Sequence, residues 1–198
     1  MARTLGVLLA GGRGRRLGGP KAFAKLGGMT LLERAHSKLH PLCDELVVVA
    51  PRGLDLPPLQ KCRVVHDQGR GPLPAMVLGL QAAPYEAAMV FGVDFPLVSH
   101  VVLSSILARL GDRVAVVPRS GPFLQPLVAA YAPRARDGLA AAIERGERSL
   151  VAAVHSIEPY VIEHDAFPSF MGTECFLNVN TPEDLAEAER LLTASERR

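Results

Sequence analysis

Short, continuously apolar runs alternate along this chain with amphipathic or alanine-rich stretches. Thr4 to Leu9 is mostly apolar and suits a strand buried on both faces, and Glu45 to Ala50 and Ala88 to Val93 repeat that pattern. Cys62 to His66, Val114 to Pro118, Leu124 to Tyr131 and Tyr160 to Glu163 read as four further strands. Between them the period changes. Thr30-Leu-Leu-Glu33 is a capping box, so a helix is expected from Leu31 to Leu39, with Leu31, Leu32, Ala35 and Leu39 facing the sheet and Pro41 ending it. Further helices are expected over Ala75 to Ala83, over Val101 to Leu110 with Ser99 as cap, over Pro133 to Arg145, and from the Ser149 cap to His155. The last begins at Thr181-Pro182-Glu183-Asp184, where Thr181 caps, Pro182 takes the first helical position and the acids complement the helix dipole; it runs to about Leu192. Pro51 to Pro58 and the loop from Asp67 to Pro74 are connections, and residues 164–175 are irregular. Strands alternating with helices predict an α/β protein, a three-layer α/β/α sandwich on a mostly parallel sheet, with ligands beyond the carboxyl ends of the strands. No repeat or linker divides the chain, so residues 1–198 are expected to form a single domain.

Composition narrows the function classes. At 198 residues, 48% hydrophobic and 21% charged, the chain is an ordinary globular protein with material for a sizeable core. No apolar run reaches the roughly 18 residues of a membrane span, and the start of the chain is no secretory signal, so a cytoplasmic location is expected. The three cysteines, Cys43, Cys62 and Cys175, are scattered without a C-x-x-C pair and suggest small buried hydrophobes, not a disulfide framework or zinc site. The net charge of +2 conceals an asymmetry: residues 1–40 hold eight Lys/Arg and one acid, a balance of +7 against −5 for the remainder. A nucleic-acid surface spreads its cations and interleaves aromatics, whereas this chain has no Trp and 5% aromatics. The local charge instead suits a small polyphosphate, and no nucleic-acid or membrane partner is expected.

The cations gather where the first strand ends. Five glycines fall in the ten residues after Leu9, and Arg13, Arg15, Arg16, Lys21 and Lys25 follow with no acid among them. Glycine lets backbone N–H groups approach a ligand closely, so bare donors and positive charge converge on one loop. It is not a Walker loop, because Pro20 precedes Lys21 and Ala22 follows, leaving no hydroxyl for magnesium. It is not a dinucleotide fingerprint either, since Gly12-x-Gly14 is followed by Leu17 at the third position. Asp94 ends the apolar strand and is followed by Pro96, so its carboxylate emerges at the strand's carboxyl end, a position for magnesium, which one Asp and substrate phosphates can hold. Asp67, in turn, is open to two readings, a ligand contact or a solvated turn acid.

The run Leu9-Ala10-Gly11-Gly12-Arg13-Gly14-Arg15-Arg16-Leu17 followed by Pro20-Lys21 resembles the signature of nucleoside-triphosphate transferases, and within them most closely the molybdenum cofactor guanylyltransferases. Three later segments carry the same resemblance: Gly71-Pro72-Leu73, Asp94-x-Pro96, and Asn178-Val-Asn180-Thr-Pro-Glu-Asp-Leu185. Gln125-Pro126-Leu127 and Tyr131 are similar to the family's strand near the acceptor. The resemblance implies a Rossmann-like nucleotidyltransferase fold and transfer of GMP from GTP to the terminal phosphate of molybdopterin or another phosphorylated small-molecule acceptor, with release of pyrophosphate. It implies that Leu9, Ala10, Gly11, Gly12, Gly14, Lys21, Asp67, Asp94 and Asn180 bind nucleotide, that Arg16, Lys21 and Asp94 serve catalysis, and that Asp94 binds the cofactor Mg2+. Molybdoenzyme-maturation proteins are the implied protein partners. The chain departs from the family where it has Pro74-Ala75 after Leu73, Pro20 before the lysine and Pro51 after the second strand; Pro20-Lys21 is the form of sugar-phosphate nucleotidyltransferases. A cytidylyl or sugar-1-phosphate transferase of the same fold, or a non-catalytic nucleotide sensor, is therefore the alternative. Leu9-Ala10-Gly11-Gly12 and Gly71-Pro72-Leu73 favour guanine over cytosine, and the retained Lys21 and Asp94 speak against a sensor.

Overall fold

A computed structural model describes residues 3–12, 15–163, 166 and 173–196. One sheet organises it. Its strands are β1 (Thr4–Leu9), β4 (Glu45–Pro51), β5 (Cys62–Asp67), β6 (Ala87–Gly92), β7 (Ala115–Ser120), β8 (Phe123–Leu124), β9 (Val128–Tyr131) and β10 (Tyr160–Ile162); β2 (Lys25–Leu26) and β3 (Met29–Thr30) form a separate small hairpin. The order across the sheet is β10-β7-β9-β6-β1-β4-β5, with β8 beside β7. All pairs in this sheet are parallel except those made by β9 and β8. Because β1 and β6 are parallel neighbours in register, with Leu9 opposite Gly92, the loops that follow them leave the sheet side by side. That adjacency locates the site.

The buried strands divide their side chains between two cores, as a two-residue period requires. Leu5, Val7 and Leu9 of β1 face one core, which contains Leu73 and Met76 of helix α2 (Pro72–Gln81), Leu139 of α4 (Pro133–Glu144) and Val154 of α5 (Leu150–Ser156). Leu8 and Ala10 face the other, with Leu31 and Leu39 of α1 (Leu31–Leu39), Leu103 of α3 (His100–Ala108) and Ala188 of α6 (Pro182–Glu196). The expected three layers are present. The capping box is complete: Thr30 Oγ1 accepts the Glu33 N–H at 3.1 Å and the Glu33 carboxylate accepts the Thr30 N–H at 2.8 Å. Ser99 and Ser149 also cap as expected.

Two expectations need correction. The strand expected over Leu124 to Tyr131 is two strands, because Pro126 has no N–H for a ladder and interrupts it: β8, before the proline, pairs with β7 alone, and β9, after it, pairs with both β7 and β6. Helix α2 begins at Pro72, not Ala75. Both Pro72 and Pro74 lie in its first turn, where N–H groups have no intrahelical acceptor, so neither proline obstructs it. Most of the stretch 164–175 lies outside the described residues.

Candidate active site

The cradle starts where β1 releases the chain. Ala10 still donates to the Val49 carbonyl of β4 at 2.9 Å, and Gly11 is the first residue beyond the sheet. Gly12 has φ of 123°, and a Cβ there would lie 3.3 Å from Cδ of Lys21, so glycine both permits the backbone and lets the lysine stem cross the loop. Arg13 and Gly14 lie outside the described residues. Arg16, in a 3-10 turn over Arg15–Leu17, is exposed, and among the described contacts it touches neither Lys21 nor Asp94. Pro20 then opens a second short turn, Lys21–Phe23, whose Ala22 is fully buried and anchors the lysine backbone from below.

Lys21 is the centre of the constellation. Its Nζ donates to Asp94 Oδ2 at 3.3 Å and to Asn180 Oδ1, residues 73 and 159 positions away in sequence. The Lys21 and Asp94 side chains are 13% and 17% exposed, so this pair is sheltered and less screened than a surface salt bridge. Asn180 is in turn oriented: its Nδ2 donates to Asn178 Oδ1 at 2.8 Å, and its backbone N–H donates to Asp184 Oδ2 at 2.8 Å. That bond, with a second from the Thr181 N–H, holds the Asp184 carboxyl below its ordinary range. Between Asn178 and Asn180, the Val179 N–H donates to the Asp94 carbonyl at 2.8 Å, tying the closing segment to the strand end. Asp94 has room because the residue two positions before it is glycine: a Cβ on Gly92 would meet Asp94 Oδ1 at 2.5 Å.

Beside this cluster lies a cavity of about 940 Å³. Leu9, Gly11, Gly12 and Asp94 bound it on the cradle side, while Pro51, Arg52, Asp67, Gln68 and Gly71 bound it across the ends of β4 and β5. Asp67 Oδ1 accepts the Gly69 N–H at 3.1 Å in a turn, as the turn-acid reading expects, and the residue also lines the cavity. The N-terminus of α2 faces the cavity too, but Pro72 and Pro74 remove two of its N–H groups, which weakens it as an anion site. The Gly11-Gly12 backbone and Lys21 are the better place for phosphates. Among the described residues no group of three or more His, Cys, Asp or Glu could hold a metal ion. A divalent cation on Asp94 would therefore complete its shell with phosphate and water oxygens, as hard cations of magnesium's kind do. Thiol chemistry has no support: burial pushes Cys43 and Cys175 up to about 12 and raises Cys62 as well.

The structure thus gathers Gly11, Gly12, Lys21, Asp67, Asp94 and Asn180 beyond the carboxyl ends of the parallel strands and leaves Arg16 apart. Leu9 lines the cavity, whereas Ala10 is buried beneath it. Sequence reasoning missed Gly92 and the cavity residues Arg52 and Gln68. A lone glycine in an apolar strand, two residues before an acid, was the available signal for Gly92.

Residues 6–158 match the model of the MobA-like NTP transferase domain. The chain is 36% identical over 193 residues to a probable molybdenum cofactor guanylyltransferase of Chloroflexus aggregans, covering 91% of this chain and 90% of that one. It is 29% identical over 201 residues to the molybdenum cofactor guanylyltransferase of Desulfosudis oleivorans, covering 98% of each. Among solved structures, molybdopterin-guanine dinucleotide biosynthesis protein A from Archaeoglobus fulgidus superposes with a TM-score of 0.79 at 25% identity, covering 96% of this chain and 99% of that one. The 2-C-methyl-D-erythritol 4-phosphate cytidylyltransferase of Thermus thermophilus shares the fold, with a TM-score of 0.77 at 22% identity over 98% of this chain and 100% of its own. With the cradle, the strand-end aspartate and the closing Asn-x-Asn segment in the arrangement described, the chain belongs to the MobA-like NTP transferase family.

Proposed function

We propose that this protein is a molybdenum cofactor guanylyltransferase, moving GMP from GTP to the terminal phosphate of molybdopterin with release of pyrophosphate. The convergence of Lys21, Asp94 and Asn180 beside the Gly11-Gly12 loop carries this reading. An acceptor phosphate oxygen attacks the α-phosphorus in line, the new P–O bond forms, and the bond to the β-phosphate oxygen breaks. Such a transfer needs positioning and charge neutralisation but no nucleophilic side chain. Lys21, already held at the mouth of the cradle, neutralises charge on the transferred phosphate and departing pyrophosphate. The backbone N–H groups from Gly11 to Gly14 are proposed to receive phosphate oxygens, and Arg16, exposed on the next turn and apart from the cluster, is the further cation proposed to meet them once the nucleotide binds. Asp67, which lines the cavity, is the residue proposed to meet the base and ribose, and Asn180 orients Lys21. Asp94 would hold a divalent cation, Mg2+ in this reading, which when bound would supply Lewis-acid polarisation of the phosphate oxygens. The whole chain acts as one cytoplasmic domain, with molybdoenzyme-maturation proteins receiving the product. Among the described residues no helix is long and apolar enough to cross a membrane.

The test is pyrophosphate release with each of the four nucleoside triphosphates across a panel of phosphorylated acceptors that includes molybdopterin. GTP with molybdopterin is the expected pair. Because a site that pairs the guanine N1 and N2 donors rejects a base lacking them by several kcal/mol, CTP should be turned over far more slowly. Equal rates with CTP would overturn the guanylyl assignment and leave nucleotidyl transfer standing; no turnover with any pair would overturn both.

A further inference from the structure

The short turn that presents Asp94 is tied by hydrogen bonds to four other segments of the chain, at Leu9, Lys38, Leu127 and Val179. Its strand end is fixed by the Gly92 N–H to the Leu127 carbonyl at 2.8 Å and the Val93 N–H to the Leu9 carbonyl at 3.2 Å. Three of its own carbonyls are then met by backbone donors: that of Gly92 by Phe95, that of Asp94 by Val179 and that of Phe95 by Val98. The next carbonyl, on the buried residue Pro96, is met by a side chain: the Lys38 Nζ donates to it from the last turn of α1. Lys38 has no part in the chemistry proposed above. It is also far from an ordinary surface lysine, since burial, helped by the neighbouring Arg34 charge, pushes it down to about 7. A lysine so placed loses hydration, and the carbonyl it reaches is the compensating partner. Both the ammonium and the neutral amine keep an N–H for Pro96, so the tie survives either protonation state.

We infer that Lys38 is a positioning residue for the reaction: by holding the Pro96 carbonyl it fixes the Asp94-Phe95-Pro96 turn and so the direction of the Asp94 carboxylate toward the cradle. This rests on the reading of Asp94 as the cation ligand. Without the tie, the turn keeps its core anchors, Phe95 and Val98, which are 4% and 0% exposed. The expected result is a local displacement near the carboxylate with the fold retained. A displacement on the scale of 1 Å at a reacting centre costs on the order of a hundredfold in rate, so a partial release should cost about tenfold or more.

The experiment uses the full chain with Lys38→Met, which keeps the aliphatic stem and removes the donor. Three quantities are read: the Kd of Mn2+ in the presence of GTP by electron paramagnetic resonance, the kcat and KM for GTP, and the Tm. Mn2+ binding weakened about tenfold, with kcat lowered and the KM for GTP little changed, supports the inference. A lowered Tm with wild-type Mn2+ affinity and wild-type kcat per folded molecule overturns it and makes Lys38 purely structural. If the Met variant does not fold, Lys38→Gln, an N–H donor one bond shorter, replaces it. Weakening of about threefold or more is then expected, and wild-type affinity overturns the inference. Asp94→Asn, run beside them, separates the two readings: if it leaves Mn2+ binding unchanged, the assignment of the cation to Asp94 fails, whatever Lys38 does.

Discussion

Gly92→Ala separates catalytic geometry from stability. Gly92 ends β6 without a positive φ, so alanine is compatible with its backbone and should stabilise the strand slightly, by about 0.5–1 kcal/mol through the unfolded state. The cost falls elsewhere. The new Cβ would stand 2.5 Å from Asp94 Oδ1, 3.3 Å from Phe95 Cδ2 and 3.5 Å from Leu127 Cβ. Only the first contact is prohibitive, and the atom it strikes is the end of a short side chain that can rotate. Restoring ordinary separation moves the carboxylate by about 1 Å, because non-bonded atoms settle near 3.5 Å or beyond. A shift of that size at the reacting centre is worth on the order of a hundredfold in rate, or about 2.7 kcal/mol. The variant should therefore keep or slightly raise its Tm while its pyrophosphate release with GTP and molybdopterin falls about a hundredfold. Gly6→Ala is the contrast: its Cβ would lie 2.2 Å from Leu46 Cδ2 in the core, so that variant should lose stability. A Gly92→Ala enzyme with the wild-type rate, or one whose rate falls only in proportion to its unfolded fraction, refutes the reasoning.

Three more outcomes are expected. Lys21→Ala removes a cation at a developing charge, commonly worth about 3 kcal/mol, so turnover should fall a hundredfold or more; a loss below tenfold in steady-state kinetics would remove Lys21 from the chemistry. Asp94→Asn should abolish turnover while the circular dichroism spectrum and Tm stay near wild type, and an unchanged rate with unchanged magnesium dependence would remove Asp94 from the site. Lys38, down at about 7 when folded against 10.5 when unfolded, binds fewer protons in the native state between those values, so stability rises with pH across that window. Urea denaturation should show the wild type gaining on Lys38→Met from pH 7 toward 10, and a pH-independent difference would contradict the buried position of the amine.

What the sequence revealed was mostly what depends on near neighbours. The Thr30-Glu33 capping box, the Ser99 cap and the apolar run of β1 are each written within a few residues, and each formed where the pattern placed it. Asp94 was legible because an apolar strand, an acid and a proline stand in line. By contrast, the partners of Lys21 lie 73 and 159 residues away, and nothing in the local pattern joins them. Gly92 escaped for the same reason, since its constraint is a distance to a carboxylate and not a turn. The β2-β3 hairpin was missed at a Gly27-Gly28 pair whose φ values of 56° and 79° suit a tight two-residue connection; its strands are only two residues long, too short for a periodic signal. The break at Pro126 and the early start of α2 both turn on where a missing N–H can be tolerated, which depends on the strand beside it or the helix turn it occupies.

The same topology separates chemistry from recognition. The residues proposed to act on phosphate follow β1 and β6, the two adjacent parallel strands, and the Asn178–Asn180 segment is tied to β6 through the Asp94 carbonyl. The cavity walls proposed to face the rest of the nucleotide come from the ends of β4 and β5, at one side of that pair. On the other side of β6 stands β9, whose Tyr131 hydroxyl donates to the Pro126 carbonyl at 2.8 Å from a fully buried position and so fixes the Gln125-Pro126-Leu127 turn beside the Gly92 backbone. Loops at strand ends can vary while the strands beneath them stay in register. If the β9 side meets the acceptor, as the resemblance of Gln125-Pro126-Leu127 and Tyr131 implies, a change of base would fall on the β4-β5 side and a change of acceptor on the β9 side, with Lys21 and Asp94 held between them by strands that need not move.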